Sequence, residues 1–407
     1  MIRTHPVPLF LLAAALAGCV GGSDEPAPVA FELEPLPSPA AAGSSEPNLA
    51  VAPDGRVTLS WVEPAGDSSH ALRFAEWRAS AWSEPRTIVR RSDLWLNWAD
   101  FPSMAPLGGG RLAAHWPQRS GAGRYDYDVR IAVSGDDGAT WSEGVVPHPD
   151  SRGGEHGFVA MMPVGDSLLA VWLDARGYDT TRAGATRAMA LVSRTLAPDG
   201  ALGDERMVDD RTCDCCQTDL AMTSRGPVVV YRDRSEDEIR DLVISRRKAS
   251  GWTTPRRIHA DGWRVDYCPV NGPAIAARDE RVVAAWFTAP NDSPVVRLAF
   301  SDDSGDSFGA PVRIDGGTPI GRVDVVLLQD GSAVVMWLER IGTEGAEVRV
   351  RHVTTDGRVG EPHVVAGSSA ARSSGFPRMA ATGDELLFAW TQVGDSAGVR
   401  TSRARLR

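Results

Sequence analysis

Tyrosine is scarce in this chain, with five residues against thirteen tryptophans among 407. No segment sustains the 3.6-residue apolar period of an amphipathic helix, so helix-built folds are excluded. Blocks of basic residues are missing and the formal net charge is -10. That removes a nucleic-acid groove and an anionic membrane surface from the candidate partners. The apolar run "PLFLLAAALAG" near the start is too short to span a bilayer as a stable helix. Cysteine is limited to five positions. What is present is ordinary for a globular protein, 43% hydrophobic and 24% charged, and is ample for a large core.

Arg3 followed by that apolar run reads as a processing signal over residues 1–18. The tetrapeptide "LAGC" that ends at Cys19 resembles the bacterial lipobox. The resemblance implies lipidation of Cys19 and an envelope lipoprotein tethered to the membrane by lipid only. Val20 in place of Asp implies the outer membrane. Residues 19–45, rich in Pro, Ala, Gly and Ser, then form the lipidated N-terminus and a linker. Within it, "VAFELEPL" (29–36) has the pattern of a strand.

The remainder, 46–407, is repetitive. "GRVTLSWVEP" at Gly55, "DSLLAVWLDAR" at Asp166 and "GSAVVMWLER" at Gly331 are versions of one element. Its aromatic landmarks are Trp61, Trp116, Trp172, Tyr231, Trp286, Trp337 and Trp390, spaced 51 to 59 residues apart. Each unit reads as short strands separated by turns. Seven four-stranded units predict an all-β, seven-bladed β-propeller in one domain. The last unit holds three strands, so the 29–36 segment is the candidate to close the ring.

Two turns share a pattern: "SGDDGATWSE" from Ser134 and "SDDSGDSFGA" from Ser301. Asp136, Gly138 and Trp141 in the first correspond to Asp303, Gly305 and Phe308 in the second. These turns resemble the Asp-box, or bacterial neuraminidase repeat, of the sialidase superfamily. The resemblance implies a structural role, on the face opposite the active site. It also implies a sialidase-like hydrolase acting on an anionic glycan, with three arginines on the substrate carboxylate, a Tyr–Glu nucleophile pair and an Asp acid/base. Known sialidases have six blades, the alternative architecture here, whereas the repeats number seven. Their Arg-Ile-Pro motif is absent; the nearest text, "ALRFAEW", does not match.

In a propeller the loops between second and third strands share one face with the segments leading into each innermost strand. On that face the arginine-rich loops and the tyrosines, including Tyr125, Tyr127, Tyr178 and Tyr267, suit an anionic or sugar-like ligand. The ligand-binding candidates are Arg176, Arg232, Arg322, Asp324 and Arg378. The catalytic candidates are Asp100, Tyr267 and Asp233. The competing reading is a non-catalytic binding or assembly platform, with an envelope protein as its partner.

Cys213, Cys215 and Cys216 in "RTCDCCQTD" and Cys268 in "YCPVNGP" fall on the same face. In an exported protein they form disulfides, a thiolate site for copper or zinc that His156 joins, or a redox pair. Spacing leaves the pairing open.

Overall fold

In the computed structural model, residues 1, 2, 29, 31–148, 154–178 and 186–406 are described. Residues 3–18 of the signal segment, Cys19 and the first part of the linker lie outside them. Seven antiparallel sheets are arranged as the blades of an all-β propeller, and the six-bladed alternative is set aside. Blade one starts from Ser45–Val51 and blade two from Ser103–Gly108. The innermost strands of blades three to seven are His156–Val164, Asp219–Thr223, Ala274–Arg278, Pro319–Leu327 and Arg378–Thr382. The strand Phe31–Leu36 completes blade seven, pairing antiparallel along its length with Gly398–Leu406.

The aromatic landmarks all lie on second strands and are buried. Period-2 geometry puts a landmark and the residue two places on at one face of the strand. That residue satisfies the indole N–H in four blades. Trp61 donates to Glu63 at 2.7 Å, Trp116 to Gln118 at 3.2 Å, Trp172 to Asp174 at 3.2 Å and Trp337 to Glu339 at 2.5 Å. In those four blades the single polar atom of the buried tryptophan is matched on its own strand, and Trp286 donates to Asp261 at 2.7 Å, while Trp390 Nε1 is buried without a partner.

The two repeated turns have the same hydrogen-bond set. Asp136 accepts from the Ser134 hydroxyl at 2.8 Å, the Thr140 N–H at 2.9 Å and the Thr140 hydroxyl at 2.6 Å. Asp303 accepts from Ser301 at 2.7 Å and from the Ser307 N–H and hydroxyl at 2.7 and 2.5 Å. Hydrogen bonds from Thr140 hold the Asp136 carboxyl down at about 2. These carboxylates serve their own turns. The outer strand that follows is short: Val312–Arg313 in blade five, and a single Ile131–Val145 bridge in blade two. Full outer strands, Arg206–Thr212 and His363–Ser369, occur in blades three and six.

Gly138 has φ 81° and faces blade one so closely that a Cβ would meet the Phe74 ring. Gly55 has φ 84° with open space around it. Gly55→Ala is therefore expected to cost only the left-handed backbone penalty, about 1–2 kcal/mol. Gly138→Ala is expected to cost a further ~1–3 kcal/mol, because the contact between blades must open. Denaturant unfolding of the two variants measures the difference.

Candidate functional site

The innermost strands of all seven blades surround a central cavity of about 570 Å³. Its polar wall is arranged mainly to hold neighbouring blades together. Asp100 accepts the Phe158 N–H of blade three at 2.8 Å, and Asp219 accepts Ile275 of blade five at 2.8 Å. Asn271 accepts Arg322 of blade six at 2.7 Å, and Asp324 accepts Met379 of blade seven at 2.8 Å. The second oxygens of Asp219 and Asp324 accept from Leu220 and Val325, each at 2.9 Å.

Removing these carboxyls from water favours their neutral forms. Burial pushes Asp219 up to about 7 against its backbone hydrogen bonds, with the charge of Asp324 adding to the rise. Asp324 is raised by burial too, although Arg378 opposes the shift. Burial also raises Asp100 to about 7, against hydrogen bonds from Tyr127 and Phe158, and Glu155 to about 7, with help from Asp100. Glu46, buried beside them, is raised well above its usual range by burial and by Asp100. The Tyr127 hydroxyl lies 2.7 Å from Asp100 and 3.0 Å from Glu155. It has one proton to donate, so hydrogen-bonding both carboxyls requires a proton on one of them.

The arginines expected around one ligand do not converge. Arg232 is 1% exposed. Its guanidinium donates to the carbonyls of Arg240, Asn271 and Phe287 and lies 4.7 Å over the Trp263 ring. Arg322 clamps Ala371, Ser374 and Gly375 and covers Trp98 at 4.7 Å. Burial among them brings Arg322 down to about 10. Arg176 is consumed by Asp174 and Glu205, at 2.7 and 2.6 Å. Arg378 differs. It lines the cavity and packs 4.8 Å over Phe101, and its guanidinium makes no ion pair or hydrogen bond among the described residues.

Among the catalytic candidates, Asp100 is fully engaged. Asp233 accepts the Arg234 N–H at 2.7 Å and is raised by burial to about 6. Tyr267 is 62% exposed on the rim. Tyr125 and Tyr178 are also exposed there. Tyr127, expected in a loop, instead opens the strand Tyr127–Ser134 and is wholly buried. It stacks on Trp95, with ring centroids 3.9 Å apart.

Cys215 and Cys268 are disulfide-linked, joining blades four and five, while Cys213 and Cys216 lie with Sγ atoms 2.6 Å apart. The sulfurs of Cys213, Cys215 and Cys216 fall within 4.8 Å of one another. Fully reduced, the cluster has a donor set suited to copper(I) or zinc; with one disulfide closed, two thiols remain. His156 does not join that group. It sits with Asp128 and His148 instead. The two imidazoles are parallel, 3.8 Å apart and 5° from coplanar orientation, so their in-plane lone pairs do not meet at one ion.

No family model matches this chain, and no curated protein sequence matches it either. Among solved structures it is similar to a protein of unknown function from Dyadobacter fermentans, at 13% identity and a TM-score of 0.50, covering 93% of this chain and 98% of that one. It also resembles a sialidase of Trypanosoma rangeli solved with the inhibitor DANA, at 13% identity and a TM-score of 0.46, covering 79% of this chain and 56% of that one. A third likeness is to an ulvan lyase, a polysaccharide lyase, at 11% identity and a TM-score of 0.48, covering 76% and 79%. At these identities the likeness concerns the fold.

Proposed function

We propose that this chain binds an acidic saccharide at the mouth of the central cavity and does not hydrolyse it. The observation that carries the reading is Arg378, whose guanidinium borders the cavity over Phe101 and makes no ion pair or hydrogen bond among the described residues. A carboxylate on the ligand would complete its hydrogen bonding. The exposed rings of Tyr125, Tyr178 and Tyr267 provide amphipathic rim surface against which sugar rings pack. Glycoside hydrolysis ordinarily needs two carboxyl groups, or a tyrosine and a carboxyl, presented to the scissile bond. Here Tyr127 is buried between Asp100 and Glu155, and Asp219 and Asp324 spend both oxygens on backbone N–H groups. The lipobox-like Cys19 would tether this binding face at the bacterial envelope.

Calorimetry against acidic and neutral oligosaccharides tests the reading, with fluorogenic sialosides included to detect turnover. Binding is expected for the acidic set and turnover for none. Arg378→Ala is expected to weaken binding about 10- to 100-fold, the worth of a lost charge-assisted contact. No affinity for acidic oligosaccharides, or affinity indifferent to Arg378→Ala, overturns the assignment.

Affinity is also expected to fall as pH rises through about 7, where Asp219 ionises. Protonated Asp219 leaves Arg378 free for the ligand; ionised Asp219 competes for the guanidinium and repels an anion. Roughly a tenfold loss between pH 6 and pH 8 is expected, corresponding to one pK unit of coupling. Titrations at the two pH values read it directly. In cells, Cys19→Ala is expected to move the protein from the membrane to the soluble fraction.

A further inference from the structure

We propose that the four mouth cysteines form a thiol–disulfide exchange site, in which the buried Cys213/Cys216 pair backs the Cys215–Cys268 disulfide and exchanges with disulfide-bearing molecules outside. This site is independent of the saccharide reading. Its layout has an inner and an outer end. Cys213 and Cys216 are 1% and 2% exposed, Cys215 is 9% exposed, and Cys268 is exposed on the rim. The inner sulfurs sit 2.6 Å apart and within 4.8 Å of the Cys215 sulfur. An exchange can therefore run inward from Cys268 through Cys215 without the inner pair ever meeting solvent.

The inner pair also has a polarity. Burial alone would raise the Cys213 thiol, but the hydrogen bond with Cys216 and the charge of Arg240 outweigh it and bring Cys213 down to about 7. Arg240 Nη1 lies 3.5 Å from the Cys213 sulfur, and its Nη2 is held by Glu238 at 2.9 Å. Cys216 is shifted the other way, by burial and by Cys213. Cys213 is thus the nucleophile and Cys216 the proton-bearing partner, since the thiolate is the attacking form.

The chemistry balances as follows. The Cys213 thiolate attacks the Cys215 sulfur; the 215–268 bond breaks and Cys268 leaves as a thiolate that takes a proton from water. Cys216 then loses its proton and attacks Cys213, expelling Cys215, which is protonated in turn. One disulfide has moved inward and two thiols outward, with no net electron transfer. The Cys215/Cys268 dithiol then reduces an external disulfide. Cys268 attacks it and releases one external thiol, and Cys215 attacks Cys268 and releases the second. The protein gains a second disulfide as the external one gains two electrons and two protons.

The full-length protein is tested with oxidised glutathione as the external disulfide. Oxidised protein treated with one equivalent of phosphine should, after acid quench, alkylation and peptide mapping, retain one disulfide distributed between Cys215–Cys268 and Cys213–Cys216. Glutathione disulfide should then restore both bonds and release two equivalents of glutathione. Cys268→Ser alters only the exposed end and is expected to slow reduction of the Cys213–Cys216 bond at least tenfold. Arg240→Gln should move the pH midpoint of exchange upward, which a purely structural arginine would not do. Reduction of the inner pair at the same rate with and without Cys268 overturns the proposal. So does a protein isolated with four protected thiols and stoichiometric zinc or copper.

Discussion

Four of the seven blade junctions share one contact: a side-chain oxygen on or beside the innermost strand of one blade accepts a backbone N–H from the next. Asp100, Asp219, Asn271 and Asp324 each make it at 2.7 to 2.8 Å. Hydrophobic packing between blades is non-directional and would tolerate sliding. These bonds are directional and set the register of the blades at those four junctions. An aspartate is suited to the position because its second oxygen can cap the following N–H of its own strand, as in Asp219 and Asp324.

The same contact determines the electrostatics of the cavity. Placing carboxyls at the axis of a packed ring desolvates them, and at Asp100, Asp219 and Asp324 this pushes them upward against the hydrogen bonds they accept. Arginine is used in a complementary way. Arg232 and Arg322 each fill several carbonyl acceptors, most of them in loops, and both lie over tryptophan rings. The guanidinium groups thus satisfy carbonyls of irregular backbone around the mouth.

Architecture was legible because it is periodic. A tryptophan every fifty-odd residues reports a blade whether or not its neighbours are known, and the Ser-x-Asp-x-Gly turn is satisfied within eight residues. The site was less legible because its partners come from distant blades. Arg232 and Arg378 look alike in sequence, but the carbonyls that consume Arg232 belong to residues 240, 271 and 287. Tyr127 looked like a loop residue because a turn-rich stretch precedes it, and only the ring brings Asp100 and Glu155 to its hydroxyl. Glu155, just before His156, carried no pattern that marked it. The closeness of "CDCC" to Cys268 followed from aligning two repeats, while the choice of Cys215 as its partner did not.

The pairing of Phe31–Leu36 with Gly398–Leu406 sets a condition on timing. The strand that completes the ring is made early, but its hydrogen-bonding partner follows only after the other blades have been synthesised. Until residues 398–406 are available, blade seven has an open edge, and strand 31–36 presents unpaired N–H and C=O groups. Blades one to six can form in order as the chain lengthens, each resting on its predecessor. Closure is a single late event that joins sequence positions more than 360 residues apart. The ring cannot lock until both of these distant segments are present.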